Sequence, residues 1–229
     1  MEPKQVAALK ALEWVRDGMT LGLGTGSTSV HFITGLGEMV RAKGWTIRGV
    51  ATSAQSEQLA RQLGITIVDL VEAGELDIAI DGADEADRSL NLIKGGGGAL
   101  LREKLVARAA REFIVIADAS KLKAALGAFP LPVAIVPFGW TGTASRLSRY
   151  GVETRLRQSS SESQKPYITD DGLYIIDMDF GKLADPAALE QEIKQITGVV
   201  DVGLFVGMTS RLILGYQDGH TEEIEAPGR

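Results

Sequence analysis

The stretch Met19-Thr20-Leu21-Gly22-Leu23-Gly24-Thr25-Gly26-Ser27-Thr28 passes from a short apolar run through alternate glycines into hydroxyl residues, the pattern of a strand turning tightly into a helix. The glycines let the backbone approach an anion, the helix N-terminus presents unpaired N–H groups, and Ser27 and Thr28 add hydroxyl donors. A plain tight turn capped by Ser27 fits the same residues equally well. A dinucleotide loop does not, because Ser27 stands where the third glycine of G-x-G-x-x-G belongs. The second strand also ends in Ala51-Thr52-Ser53 instead of a ribose-binding acid. No Gly-Lys-Ser/Thr follows the glycines, which removes a nucleoside triphosphate loop. A small phosphate or carboxylate remains as the ligand for such a loop.

Outward from this stretch, strand and helix patterns alternate. Residues 3–17 read as an amphipathic helix with Pro3 in its first turn and Val6, Leu9, Leu12 and Val15 on one stripe. Apolar runs at 19–23, 46–51, 65–69, 76–80 and 113–117 are separated by helical stretches near 27–42, 54–63 and 99–111. That spacing predicts a Rossmann-like α/β domain, a parallel sheet covered on both faces with ligands at the carboxyl ends of its strands. The prolines of Phe129-Pro130-Leu131-Pro132 mark a change of style. Beyond them come a strand at 133–137, a helix near 141–150, strands at 152–157 and 173–179, a helix at 185–196 opened by Asp185-Pro186, and a strand at 199–206. This βαββαβ order predicts a second, smaller α+β domain of ferredoxin-like type. The expected domains are 1–130 with 207–229, and 131–206, with a hairpin signal at Asp218-Gly219 returning the tail to the first. Residues 159–163 read as a surface loop, and no internal repeat is evident.

Composition narrows the function classes. Hydrophobic residues at 45% and charged residues at 24% match an ordinary globular protein. A net charge of −6 offers no broad basic surface for nucleic acid or anionic membrane, so any phosphate must be held by local groups. The absence of cysteine excludes disulfides, thiolate metal sites and cysteine nucleophiles, and suits a cytoplasmic location. His31 and His220 are too far apart in sequence to suggest a histidine metal centre, although an all-carboxylate magnesium site stays open. Neither a secretory signal nor a membrane-length apolar run is present.

The loops after the strands carry the chemistry. Thr52-Ser53-Ala54-Gln55-Ser56 is a hydroxyl-rich turn in which Ser56 reads as a cap while Thr52 and Ser53 face the same crevice as the first loop. Asp81-Gly82-Ala83-Asp84-Glu85-Ala86-Asp87 crowds acids directly after a buried strand. Such crowding suits groups that exchange protons or grip sugar hydroxyls; a solvated turn or a magnesium site fits too, whereas a calcium loop lacks the alternating ligands and distal glutamate. Lys94-Gly95-Gly96-Gly97-Gly98 then leads into a helix carrying Glu103. A tetraglycine loses much conformational entropy on folding, and close approach of backbone to a ligand is a reason to tolerate it. Glu103, one turn into that helix, can point back toward Asp81 and Asp84, or simply face solvent at the positive end of the helix dipole. Lys121 follows another strand end in Ile116-Ala117-Asp118-Ala119-Ser120-Lys121, as a phosphate partner or an ordinary surface lysine.

The segments GLGTGST, TSAQS, DGADE, KGGGGALLREK and IADASK, in this order and spacing, resemble type A ribose-5-phosphate isomerase, and FPLPV with GVVDVGLF resemble that family's second domain. The resemblance implies interconversion of ribose 5-phosphate and ribulose 5-phosphate without metal or other cofactor, in a homo-oligomer, a dimer in preference to a tetramer. It implies that Glu103 is the proton-transfer base, that Asp81, Asp84 and Lys94 are further catalytic positions, and that Thr25, Gly26, Ser27 and Thr28 form the phosphate loop. Gly82, Ala83, Gly95, Gly96 and Gly97 fall among the substrate-binding positions, and Lys121 and Lys4 supply additional cations. Two readings of other classes compete: a non-catalytic sugar-phosphate sensor, which would normally carry a helix-turn-helix, and a sugar-phosphate deaminase or acyl-CoA transferase on a related scaffold.

Overall fold

The computed structural model describes residues 1–160 and 165–226; residues 161–163 of the expected 159–163 surface loop lie outside them. The chain opens with α1 (Pro3–Ala11), followed by β1 (Thr20–Leu23), α2 (Ser27–Lys43), β2 (Arg48–Ala51), α3 (Ala54–Gln62), β3 (Thr66–Ile67), α4 (Leu70–Ala73) and β4 (Leu76–Asp81). Two short strands, β5 (Glu85–Asp87) and β6 (Leu92–Ile93), precede α5 (Leu100–Ala109), which runs directly into β7 (Ala110–Asp118) and then β8 (Leu122–Lys123). Next come β9 (Leu131–Ile135), α6 (Trp140–Leu147), β10 (Glu153–Leu156), β11 (Tyr174–Asp179), α7 (Pro186–Lys194) and β12 (Val199–Val202). The order closes with β13 (Leu204–Phe205), β14 (Arg211–Gly215) and β15 (Thr221–Glu225).

Seven strands form the main sheet in the order β15-β14-β7-β4-β1-β2-β3, parallel except for β15. From β1 the chain moves one way to β2 and β3, then crosses to β4 on the other side, so β1 and β4 flank the point where strand order reverses. In such sheets that crevice, at the strands' carboxyl ends, is where ligands bind. One face is covered by α1, α2 and α3 through residues such as Ala7, Phe32, Ile33, Leu36 and Ala60, all fully buried. The other carries Val106 and Ala107 of α5 with Phe113, Phe205 and Leu212. Burial of each large side chain stabilises the fold by about 1.5–3 kcal/mol, and α2, with Phe32, Ile33 and Leu36, is accordingly held hard against the sheet.

The second sheet is antiparallel, in the order β10-β11-β9-β12, with α6 and α7 as its helices, which is the ferredoxin-like arrangement. A third sheet, β13-β6-β5-β8, is built from strands of two or three residues, too short to show any periodicity in sequence. Two expectations are corrected here. The first helix stops at Ala11, tightens to a 3-10 turn over Leu12–Trp14, and ends because Val15 is extended (φ −78°, ψ 138°) and buried. The strand expected at 199–206 is divided by Gly203 between two sheets. Gly203 O accepts from Lys94 N–H at 2.8 Å, and a Cβ there would lie 2.3 Å from Lys94 O. A glycine is therefore required where β12 leaves the second sheet, and its backbone contact fixes the main chain of Lys94.

Candidate active site

The carboxyl ends of β1 and β4 meet through Asp81. Its Oδ1 accepts from Thr25 N–H (3.0 Å), Ser29 Oγ (3.1 Å) and Gly82 N–H (2.7 Å), so the acid at the end of one strand shapes the glycine loop after the other. From the second strand end, Thr52 Oγ1 lies 2.7 Å from Thr25 Oγ1, and Ser56 Oγ donates to Gly24 O at 2.6 Å. Ser53 is the N-cap of α3, accepting from Ser56 N–H. The second hydroxyl cluster thus supports the first loop from behind. Ser56, read as a cap from sequence, is instead a buttress, while Ser53 does the capping.

At the start of α2, Gly26 is the N-cap, and Ser27 and Thr28 open the first turn, where helical geometry leaves N–H groups without intrahelical acceptors. Lys4 of α1 donates to Ser27 Oγ at 3.0 Å. The macrodipole of this 17-residue helix adds to the positive potential at the loop.

Lys94 and Glu103 approach from the opposite wall. Lys94 is 2% exposed; its ammonium donates to Gly82 O at 2.5 Å and stands 3.1 Å from Asp81 Oδ2 and 3.3 Å from Glu103 Oε1. Burial works against its positive charge, but Asp81, Glu103 and Asp84 more than reverse this and hold its proton well above the ordinary lysine range. Glu103 is 5% exposed, so it is not a solvent-facing first-turn acid. Burial pushes its carboxyl up to about 8, with Lys94 pulling against the rise and Asp81 and Asp84 adding to it. Glu103 Oε2 is buried and makes no hydrogen bond among the described residues. The Glu103–Lys94 contact leaves that second oxygen available.

Consecutive charged residues on α5 serve three different surroundings because each step along a helix rotates the side chain by about 100°. Arg102 pairs with Asp171 at 2.8 Å, Glu103 turns into the crevice, and Lys104 reaches Glu190, Asp201 and Val202 O at 2.6, 3.1 and 2.7 Å. The acidic stretch divides likewise. Asp84 Oδ2 accepts from Gly96 N–H at 2.7 Å at the crevice wall. Buried Glu85 instead accepts from Gly127 N–H and Phe129 N–H, and Asp87 closes its own turn on Ser89 and Asn91.

One cleft, with about 520 Å³ of empty space including its mouth, is lined by Lys4, Thr25, Gly26, Ser27, Thr28, Gly82, Ala83, Asp84, Lys94, Gly95, Gly96, Gly97, Glu103 and Lys121. That size suits a small ligand. Every site residue that the resemblance implied lies on its wall except Asp81, which stands behind Lys94 and Thr25; Thr52 and Ser53, expected to face the same crevice, do not line it, because Thr52 is buried against the back of the Thr25 turn and Ser53 caps α3. Sequence reasoning missed Ser29 and also the contacts that the connection between β10 and β11 makes with the tetraglycine turn, through Arg157 and Tyr167. A main-chain carbonyl as partner leaves no local pattern to find. No group of three or more acidic or histidine side chains suited to a metal ion occurs among the described residues. No described helix is long and apolar enough to cross a membrane.

The chain matches the family model for ribose 5-phosphate isomerase A (phosphoriboisomerase A) over residues 48–219. It is 48% identical to the ribose-5-phosphate isomerase A of Parvibaculum lavamentivorans, covering 98% of both chains. The solved ribose 5-phosphate isomerase A of Methanocaldococcus jannaschii superposes with a TM-score of 0.92 at 40% identity, covering 97% of both chains. A D-ribose-5-phosphate isomerase solved in complex with phospho-erythronic acid gives a TM-score of 0.94 at 38% identity, covering 98% of this chain and 100% of that one. With family model, full-length relatives and fold in agreement on a chain whose strand ends build one polar cleft, this protein is an isomerase belonging to the ribose 5-phosphate isomerase A family.

Proposed function

We propose that the cleft interconverts D-ribose 5-phosphate and D-ribulose 5-phosphate through an enediolate, with Glu103 as the proton shuttle. The observation that carries this reading is the buried Glu103 carboxyl, which keeps one oxygen on Lys94 and the other unpartnered in the same cleft as a helix N-terminus suited to phosphate. Aldose–ketose isomerisation moves a proton between adjacent carbons, so one base must reach both and a donor must meet the charge that develops on oxygen. Glu103 removes the proton from C2 of the open-chain aldose and returns it to C1. Lys94 and the glycine-turn N–H groups stabilise the oxyanion between the two transfers. Asp84, on the cleft wall, handles the hydroxyl protons and ring opening, while Asp81 orients Lys94 and the Thr25 turn.

The N–H groups at Gly26, Ser27 and Thr28, with Lys4 and Lys121, hold the phosphate, so that binding energy remote from the reaction positions the reacting carbons. The phospho-erythronic acid bound by the relative joins a phosphate to a carboxylate on a short hydroxylated chain, much as the enediolate joins a phosphate to anionic oxygens. The test is ketose formation from ribose 5-phosphate with excess chelator present, by the native chain and by Glu103→Gln. The native chain should turn over. The variant should bind substrate but lose roughly 10²–10⁴ in kcat; near-native turnover by Glu103→Gln would overturn the assignment of the base.

A further inference from the structure

We infer that Arg157, just beyond the edge strand of the ferredoxin-like sheet, is a positioning residue for the reaction: it clamps the tetraglycine turn so that its N–H groups face Asp84 and the cleft. Arg157 lies just after β10, and four of its five guanidinium N–H donors are engaged. Nε and one terminal nitrogen pair with the two oxygens of Asp177 on β11, at 2.9 and 2.5 Å. The other terminal nitrogen donates to Gly95 O at 2.8 Å and Gly96 O at 3.1 Å. Tyr167, whose ring lies 6.0 Å from the guanidinium carbon, donates its hydroxyl to Gly97 O at 3.2 Å. Three successive carbonyls of the turn are therefore held by two side chains of the connection between β10 and β11.

In a trans peptide the C=O of one residue and the N–H of the next point in opposite directions. Holding Gly95 O toward Arg157 turns the Gly96 N–H the other way, where it donates to Asp84 Oδ2 at 2.7 Å. Holding Gly96 O likewise turns the Gly97 N–H away from Arg157, and Gly97 lines the cleft. A glycine-rich turn has little intrinsic preference for one orientation of its peptide planes, since its residues populate both signs of φ. The turn closes on itself through Gly98 N–H to Gly95 O at 2.9 Å, but the carbonyls of Gly96 and Gly97 have no such partner within the turn and are held from outside it by Arg157 and Tyr167. A planar, five-donor guanidinium locked by a carboxylate can reach two carbonyls at once, which a lysine cannot do while keeping a bidentate pair. Arg157 touches neither the proposed phosphate loop nor Glu103, so its effect reaches substrate only through the peptide planes of the turn.

This inference rests on the cleft being the isomerase site, and the experiment separates the two. Arg157→Met and Arg157→Lys are compared with the native chain for kcat and KM on ribose 5-phosphate, for inhibition by inorganic phosphate, and for thermal midpoint. Misplacing reacting groups by a fraction of an ångström to one ångström lowers rates by roughly ten- to a hundredfold, and that loss in kcat is expected for Arg157→Met, with Arg157→Lys intermediate. The phosphate inhibition constant should stay within about twofold, because the anion is held at the far end of the cleft. A folded Arg157→Met with native kcat overturns the inference, as does a phosphate inhibition constant that weakens in step with kcat. If Arg157→Met does not fold, Arg157→Lys decides: a loss of about fivefold or more in kcat supports the clamp and a native kcat overturns it. Native turnover by Glu103→Gln would instead remove the reading of the site itself.

Discussion

Replacing Glu103 by glutamine should stabilise the protein while lowering its turnover by roughly 10²–10⁴-fold. The unfolded chain releases the Glu103 proton near the ordinary value of 4.5, whereas burial holds the folded carboxyl up to about 8. Between those two values the unfolded state binds fewer protons than the folded one, so stability falls as pH rises. Below 4.5 both states are protonated and the effect vanishes; above 8 both are ionised and the loss is constant. At 1.36 kcal/mol per unit of separation, the native chain loses about 3 kcal/mol at pH 7 and about 5 kcal/mol above pH 8 relative to a neutral side chain of the same shape. Glutamine is that side chain: its carbonyl keeps the contact with Lys94, and its amide stands where the unpartnered oxygen was. For a domain of this size the gain corresponds to roughly 6–12 °C in thermal midpoint at pH 7.

Thermal unfolding of both proteins from pH 4 to pH 9 measures this, with the midpoints converging at the acid end and separating as pH rises. The wild-type kcat/KM should climb through a limb near 8 as the base ionises, and the variant should show no such limb. The opposite sign refutes the reasoning. If Glu103 were an ionised half of a structural ion pair with Lys94, its removal would strand a buried ammonium and destabilise the fold by about 3–5 kcal/mol, and the midpoint at pH 7 would drop.

A Cβ at Gly97 would meet only Thr25 Cγ2 at 3.6 Å, an ordinary contact, so Gly97→Ala should fold with a native midpoint yet raise KM for ribose 5-phosphate at least about tenfold by occupying cleft space; native kinetics would show that substrate does not approach this residue. Glu85→Ala leaves the buried N–H of Gly127 and the half-buried N–H of Phe129 unpaired and should cost about 1–4 kcal/mol in urea unfolding, with kcat per folded molecule unchanged; a loss of kcat without loss of stability would move Glu85 into the site. Lys121→Met removes one cation from the phosphate end and should weaken inhibition by inorganic phosphate roughly tenfold or more, which an inhibition assay reads directly; no change would place the phosphate elsewhere.

The parallel sheet and the antiparallel sheet beside it were legible because β1, β4, β7 and β9 are largely apolar runs of four to nine residues with helices or prolines between them, and that pattern is local to the chain. The glycine loop, the acidic strand end and the tetraglycine were legible for a related reason: glycines in series and acids in series cost free energy that a bland loop has no cause to carry. The two- and three-residue strands of the third sheet were not, since their pairing depends on partners far away in sequence.

What the sequence determined by itself was the type of fold, the strand ends that carry chemistry and, through motif resemblance, the family. Tertiary structure decided which of several similar residues does what. Asp84 faces the cleft while Glu85, its neighbour, ties down the backbone at Gly127 and Phe129; Glu103 turns inward while Lys104, one step on, holds the second sheet. Local pattern, without the resemblance, does not separate the four acids of the β4 end or Glu103 from its charged neighbours Arg102 and Lys104, and the packed chain assigns each a dielectric, a partner and a direction. The elevated proton affinity of Glu103 and the grip of Arg157 on the glycine turn exist for that reason, as consequences of desolvation and of contact between segments that local sequence cannot bring together.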